Sequence, residues 1–150
     1  MNKTVLGFDY GTKRIGIAAG QALTRTAQGI ATISNSGKHG PWSDIEKLIH
    51  EWRPDVLVVG LPLGREGSET ELSRAARLFA SALGERFDLP VDFIDETLTS
   101  RSAEARISQA TPAGKRIKEK RENLRDQIAA ELILETYLDE YSRKSHVSRD

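Results

Sequence analysis

An α/β layered sandwich is the architecture this sequence predicts, and three observations carry the prediction. Near the N-terminus two apolar stretches make a tight hairpin and a third follows it, an antiparallel three-strand start. Beyond residue 40, apolar strand-like runs alternate with stripes of helical period, the pattern of parallel strands joined by right-handed crossovers. Residues 56–59 (VLVV) are apolar at every position, as a strand covered on both faces must be. The predicted order is β-β-β-α-β-α-β-α-α, with the meander to one side of the first strand and the two later strands to the other.

The first strand, residues 5–8, opens the segment VLGFDYGTKRIGIA and ends in Asp9. A carboxylate there needs hydrogen bonds or a cation, because burial without either is costly or forces it neutral. Gly11 and Thr12 turn the chain, residues 15–19 (IGIAA) return beside it, and residues 27–33 (AQGIATI) supply a third strand. Residues 35–41 (NSGKHGP) are a loop. Ser43 and Glu46 stand at capping-box spacing before a helix whose stripe of Ile45, Leu48, Ile49 and Trp52 stops at Pro54. The buried strand 56–59 is closed by Gly60, and residues 61–67 (LPLGREG) form the next loop.

Ser68 and Glu71 repeat the capping-box spacing ahead of a second helix with Leu72, Ala75, Ala76, Phe79, Leu83 and Phe87 on its buried stripe. After Pro90 a short strand, 91–95 (VDFID), leads to Asp95 and Glu96, and Thr99 can cap a helix over 100–109. Residues 111–122 are basic and loop-like. Asn123 opens the last helix, which buries Ile128, Ala129, Leu132, Ile133, Tyr137 and Tyr141. One domain is expected over 1–141, with 142–150 as a flexible tail.

The bulk composition narrows the function classes. At 150 residues the chain makes one ordinary domain, which buries about two-thirds of its unfolded surface. Its 22 basic residues balance 22 acidic ones, so any nucleic-acid binding must come from a local patch. With no cysteine, thiolate metal sites and cysteine chemistry are excluded. No run approaches the roughly 18 apolar residues of a membrane span, and the first residues lead into a strand rather than a signal peptide. A cytoplasmic protein with no membrane partner is expected.

Three carboxylates hold positions unusual for their type: Asp9 at the end of the central strand, Glu96 past the last strand, and Asp126 on the final helix. From Asp126, positions i+3, i+4, i+7 and i+11 are Ala129, Ala130, Ile133 and Tyr137, so the acid lies on the stripe that packs against the sheet. Each acid has an ordinary alternative. Asp9 can bond its own turn amides, Glu96 can be solvated, and Asp126 can be the acidic half of a capping box with Asn123. If the three converge, they make a hard-oxygen site suited to Mg²⁺ or Mn²⁺. Two such ions can activate water and stabilise the leaving oxygen of a phosphodiester. The scattered His39, His50 and His146 offer no zinc pattern. Residues 115–125 (KRIKEKRENLR) hold six basic residues against two acidic. Lys115, Arg116, Lys118, Lys120 and Arg121 are therefore either a solvated helix start or a phosphate-gripping arm. Gly60-Leu61-Pro62 reads as a turn, since neither a Walker lysine nor G-x-G-x-x-G is present.

Segments 9–18 (DYGTKRIGIA), 60–62 (GLP), 95–97 (DET), 126–130 (DQIAA) and 133–138 (ILETYL) together resemble the YqgF/RuvX family, from about residue 3 to 141. Members are described as pre-16S ribosomal RNA nucleases and as homologues of Holliday junction resolvases. The resemblance implies an RNase H-like fold with a five-stranded mixed sheet in order 3-2-1-4-5, strand 2 antiparallel. It implies Asp9, Glu96 and Asp126 as catalytic acids binding Mg²⁺ or Mn²⁺; Arg14 and Arg101 join Lys115, Arg116, Lys118, Lys120 and Arg121 as candidate nucleic-acid-binding residues. The expected activity is metal-dependent phosphodiester cleavage in 5′-end processing of precursor 16S rRNA. The alternatives are a branched-DNA resolvase and a non-catalytic RNA- or ribosome-binding module. Expected partners are precursor rRNA or branched DNA and ribosomal particles, for a monomer or weak homodimer. The family commonly shows Asp-Glu-Arg where this chain has Asp95-Glu96-Thr97, and Arg101, one helical turn on, is the candidate replacement. The D-x-G-T of the first motif also resembles the phosphate loop of actin-like and sugar-kinase ATPases. Those proteins grip nucleotide between two domains, and this chain has length for one.

Overall fold

The computed structural model describes residues 3–36, 40–96 and 118–147. Five strands form one mixed sheet: β1 (Thr4–Tyr10), β2 (Arg14–Gln21), β3 (Thr26–Ser34), β4 (Val56–Leu61) and β5 (Val91–Asp95). Their spatial order is β3-β2-β1-β4-β5. The meander pairs antiparallel, with Asp9 opposite Gly16 and Ile15 opposite Ile33. β4 and β5 add in parallel on the other side of β1. The order and directions expected from the sequence are those observed.

Period-two alternation sorts the strand side chains between two cores. Leu6, Phe8, Ile15, Ile17, Leu57 and Val59 point to the face covered by α1 (Trp42–Trp52) and α2 (Glu71–Phe87). Phe79 of α2 anchors that side, its ring 5.8 Å from Phe8, 4.9 Å from Tyr10 and 5.6 Å from Trp42. Val5, Ala18, Val58 and Ile94 point the other way, onto Ala130, Ile133, Leu134 and Leu138 of α3 (Lys118–Val147). Both faces of β1 and β4 are therefore buried. This is why their sequences lack a polar alternation.

Several helix boundaries differ from expectation. α1 begins at Trp42 with Pro41 in the cap position and no side-chain cap, so Ser43 lies inside the first turn. Proline needs no N–H partner, and its fixed φ suits a helix start. The capping box of α2 is built by Thr70 and Ser73 rather than by Ser68 and Glu71. Ser73 N–H donates to Thr70 Oγ1 at 3.0 Å, and Thr70 N–H donates to Ser73 Oγ at 2.7 Å. Serine replaces the usual glutamate because Ser73 is fully buried and its short side chain reaches the cap amide directly.

α3 starts five residues before Asn123, so residues 118–122 are helical and not loop-like. Lysine, glutamate and arginine are strong helix formers, and here propensity outweighs the capping signal. The helix also runs on through 142–147, beyond the boundary expected for a frayed tail. Tyr141 is exposed, and Ala130, Leu134 and Leu138 take the buried positions instead. Thr99, the expected helix over 100–109 and residues 111–117 lie outside the described residues.

Candidate active site

β1, β4 and β5 run parallel, so their C-terminal ends share one edge of the sheet, the edge at which open α/β sheets bind ligands. Asp9 follows Val5 and Gly7 on the α3 face of β1, and Glu96 continues the alternation of Asp92 and Ile94 past the end of β5. The two acids meet there and hydrogen-bond each other through their side chains. Glu96 Oε1 is a buried atom, set against the backbone of Gly60.

Burial is the main cause of a raised pKa on both. For Glu96, the hydrogen bond and charge of Asp9 and the charge of Asp95 add to it, and the carboxyl is pushed up to about 10. For Asp9, the bond from Glu96 opposes the rise and the charge of Asp126 adds to it. The pair therefore retains a proton at neutral pH, one acid donating to the other.

Two glycines make room for this arrangement. A Cβ on Gly16, directly across the ladder from Asp9, would lie 2.0 Å from the backbone oxygen of Asp126 and 2.9 Å from its Cβ. The first part of α3 thus rests on the backbone of β2. A Cβ on Gly60 would lie 2.7 Å from Glu96 Oε1 and 2.5 Å from Ile133 Cδ1. Gly60 belongs to β4 rather than to a turn, and its bareness is what admits Glu96. Further bonds fix α3 laterally. Thr32 Oγ1 donates to the Asn123 carbonyl at 2.8 Å, and Gly29 N–H donates to Glu131 at 2.9 Å.

Asp126 reaches the site from α3, yet its carboxylate is turned onto a cation. Arg14, the first residue of β2 and on the same face as Gly16, places Nε 2.7 Å from Asp126 Oδ2. Its Nη1 lies 3.5 Å from Glu122, one helical turn before Asp126. Among the described residues no three His, Asp or Glu side chains stand close enough, as placed, to hold one metal ion. Asp9 and Glu96 are together, and Asp126 lines the same cleft as Asp9 and Arg14. Asp9, Gly11, Thr12, Lys13, Arg14, Asp126 and the start of α2 line a cleft of about 670 Å³.

Sequence reasoning did not find Lys13, an exposed cation on that cleft, or the Arg14–Asp126 link. No local pattern announces a contact between residues 112 positions apart. Gly16 and Gly60 carried a legible signal, since glycine inside a strand marks a close approach. Lys118, Lys120 and Arg121 fall on the first turn of α3, with their side chains outside those described. Thr97, Arg101, Lys115 and Arg116 lie outside the described residues altogether.

The sheet order and flanking helices match solved resolvases: T. thermophilus RuvC in complex with a Holliday junction substrate (TM-score 0.53, 16% identity, 95% of this chain and 96% of that one) and the Fowlpox virus resolvase with junction DNA (TM-score 0.55, 16% identity, 92% and 98%). The fold is thus the RNase H-like fold of the RuvC-type resolvases. The family model described as "RuvX: Holliday junction resolvase" matches residues 3–140. A protein of Aeromonas hydrophila named "Putative pre-16S rRNA nuclease" is 45% identical over 139 residues, covering 93% of this chain and 96% of its own. One of Burkholderia ambifaria with the same name is 42% identical over 143 residues, covering 95% and 93%. The chain belongs to the RuvX family, and with it to the nucleases.

Proposed function

We propose that this chain is a divalent-metal-dependent endonuclease that hydrolyses phosphodiester bonds in precursor 16S rRNA, in processing of its 5′ end. Asp9, Glu96 and Asp126 are the catalytic and metal-holding acids in this reading. The observation that carries it is the Asp9–Glu96 carboxyl pair, half-buried at the C-terminal edge of the parallel strands, with Asp9 on the wall of a cleft that Lys13 and Arg14 also line.

The donor set fits a hard cation: all three side chains offer only carboxylate oxygens, the ligands that Mg²⁺ and Mn²⁺ prefer. Two acids held in contact repel once both ionise, and a divalent cation would replace the shared proton. When bound, such an ion supplies a water of lowered pKa and offsets the charge that builds on the phosphodiester. Asp9, held on the central strand, and Glu96, held just past the end of β5, then act as anions. Lys13 and Arg14 line the cleft and would take phosphate oxygens of the strand entering it, Arg14 with a planar fork and Lys13 as a point charge. Such contacts to phosphate would carry no sequence information.

A cleavage assay on precursor 16S rRNA in Mg²⁺, Mn²⁺ and EDTA, run beside a four-way DNA junction and with Asp9→Asn as control, tests the reading. Metal-dependent cleavage of the RNA that Asp9→Asn abolishes is the expected result. The family model's description favours a branched-DNA resolvase as the second reading, and preferential cutting of the junction would establish it instead. Absence of cleavage on either substrate would leave a non-catalytic RNA- or ribosome-binding module.

A further inference from the structure

We propose that Arg14 is a positioning residue that withholds Asp126 from the metal until a substrate phosphate arrives. The inference rests on the metal-nuclease reading above and adds to it an order of events. Of the three acids, Asp9 and Glu96 already touch, while Asp126 spends its carboxylate on Arg14 Nε at 2.7 Å. A guanidinium and a divalent cation compete for the same oxygen. While the ion pair stands, the third ligand is occupied, and no three-acid cluster exists among the described residues.

The pair is built to exchange partners. The Asp126 side chain is 15% exposed and held on α3, whereas that of Arg14 is 36% exposed and lines the cleft. Arg14 is also shared with Glu122 at the longer distance of 3.5 Å, so neither carboxylate engages it in the bidentate geometry that locks such pairs. A phosphodiester entering the cleft presents two oxygens that a guanidinium can take side by side, a better match than the single bond to Asp126. Arg14 then moves to phosphate. Asp126 is freed at the moment the substrate is in place, and Gly16 keeps its backbone seated against β2 throughout. Metal affinity and nucleic-acid binding become thermodynamically coupled, each strengthening the other by the same factor.

Isothermal titration of Mn²⁺, with and without a short phosphorothioate-linked RNA and corrected for Mn²⁺ bound by the RNA alone, reads this coupling without any turnover. RNA should tighten Mn²⁺ binding to the wild type by about tenfold, the scale of a partly exposed charge-assisted bond. Arg14→Gln should bind Mn²⁺ about tenfold more tightly than the wild type before RNA is added, and should gain little when it is. Arg14→Lys, which keeps the charge, should return to weak binding in the absence of RNA. Equal Mn²⁺ affinity in wild type and Arg14→Gln without RNA would overturn the proposal. Should Arg14→Gln fail to fold, an RNA-independent affinity in the wild type alone would overturn it. Absence of Mn²⁺ binding in every protein, with or without RNA, would instead defeat the metal-nuclease reading on which it stands.

Discussion

Replacing Glu96 by glutamine should remove a pH dependence of stability that the metal-free wild type carries. In the unfolded chain the Glu96 carboxyl titrates near its ordinary value of 4.5, and in the folded protein burial and Asp9 push it up to about 10. A carboxyl whose folded pKa is raised stabilises the fold fully below the unfolded value and loses that contribution as pH rises towards the folded one. Between these limits the folded state holds one more proton than the unfolded state, and stability falls by about 1.4 kcal/mol for each pH unit. From pH 6 to pH 8 in EDTA the loss is about 2.7 kcal/mol. For a chain of this length that is a fall in melting temperature of roughly 5–11 °C. The loss follows from the slope alone, so it holds wherever the folded pKa lies well above 8.

The amide introduced by Glu96→Gln would donate to Asp9 as the protonated acid does, at every pH. The variant should therefore melt at nearly one temperature across the range and exceed the wild type at pH 8. Thermal unfolding followed by circular dichroism at pH 6, 7 and 8 in EDTA is the assay, and millimolar Mn²⁺ should flatten the wild-type slope by displacing the proton. A wild-type melting temperature that does not change over this range, or a Glu96→Gln protein that keeps the wild-type slope, would refute the shared proton.

Asp9→Asn should lose cleavage by several orders of magnitude while its metal-free melting temperature at pH 8 equals or exceeds that of the wild type. Parallel rate and melting measurements check both halves. Gly16→Ala drives a methyl into the Asp126 backbone and should cost about 1–3 kcal/mol. Activity should fall with it as α3 shifts, which chemical denaturation and a rate assay would read together. Lys13→Ala should lower the salt dependence of RNA binding by about one unit of slope, measured by fluorescence anisotropy across a salt series. Phe79→Ala removes the ring that Phe8, Tyr10 and Trp42 pack on and should cost about 3–5 kcal/mol in urea unfolding.

The sheet was legible because its strands obey rules that act over a few residues. An apolar run buried on both sides and a hairpin turn are local facts, and chain connectivity then leaves few orders for five strands. Asp126 was legible for a similar reason: its helical spacing to Ala130 and Ile133 puts it on the buried stripe, and both are buried. The helix starts were less so. Capping signals compete with one another, and a serine at the right spacing from a glutamate, such as Ser43 or Ser68, lost to Pro41 and Thr70 once packing fixed where the chain entered the helix. The partner of Asp126 was not legible at all. Arg14 meets it only because β2 and α3 face each other, a relation that exists in the fold and in no window of sequence.

The acids differ in what holds them, and the difference bears on how the site works. Asp9 is fixed by a central strand with neighbours on both sides. Asp126 is fixed by a helix whose backbone touches β2 at Gly16 and bonds β3 through Thr32. Its backbone therefore has little freedom, and its carboxylate can change partner only by rotating about its own side-chain bonds. Glu96 lies one residue past β5, which ends at Asp95. Its place depends on the bare backbone of Gly60 and on its contact with Asp9. Two of the three acids are thus set by regular structure, and the third by a glycine and a shared proton. A substitution at Gly60 should accordingly disturb metal binding before it disturbs the fold, because Glu96 can swing out past a strand end more easily than α3 can lift from the sheet. Gly60→Ala, titrated with Mn²⁺ and melted in parallel, should lose about tenfold in affinity with a smaller fall in stability than Gly16→Ala. The reverse ranking would show that Glu96 is held by something other than the space Gly60 leaves.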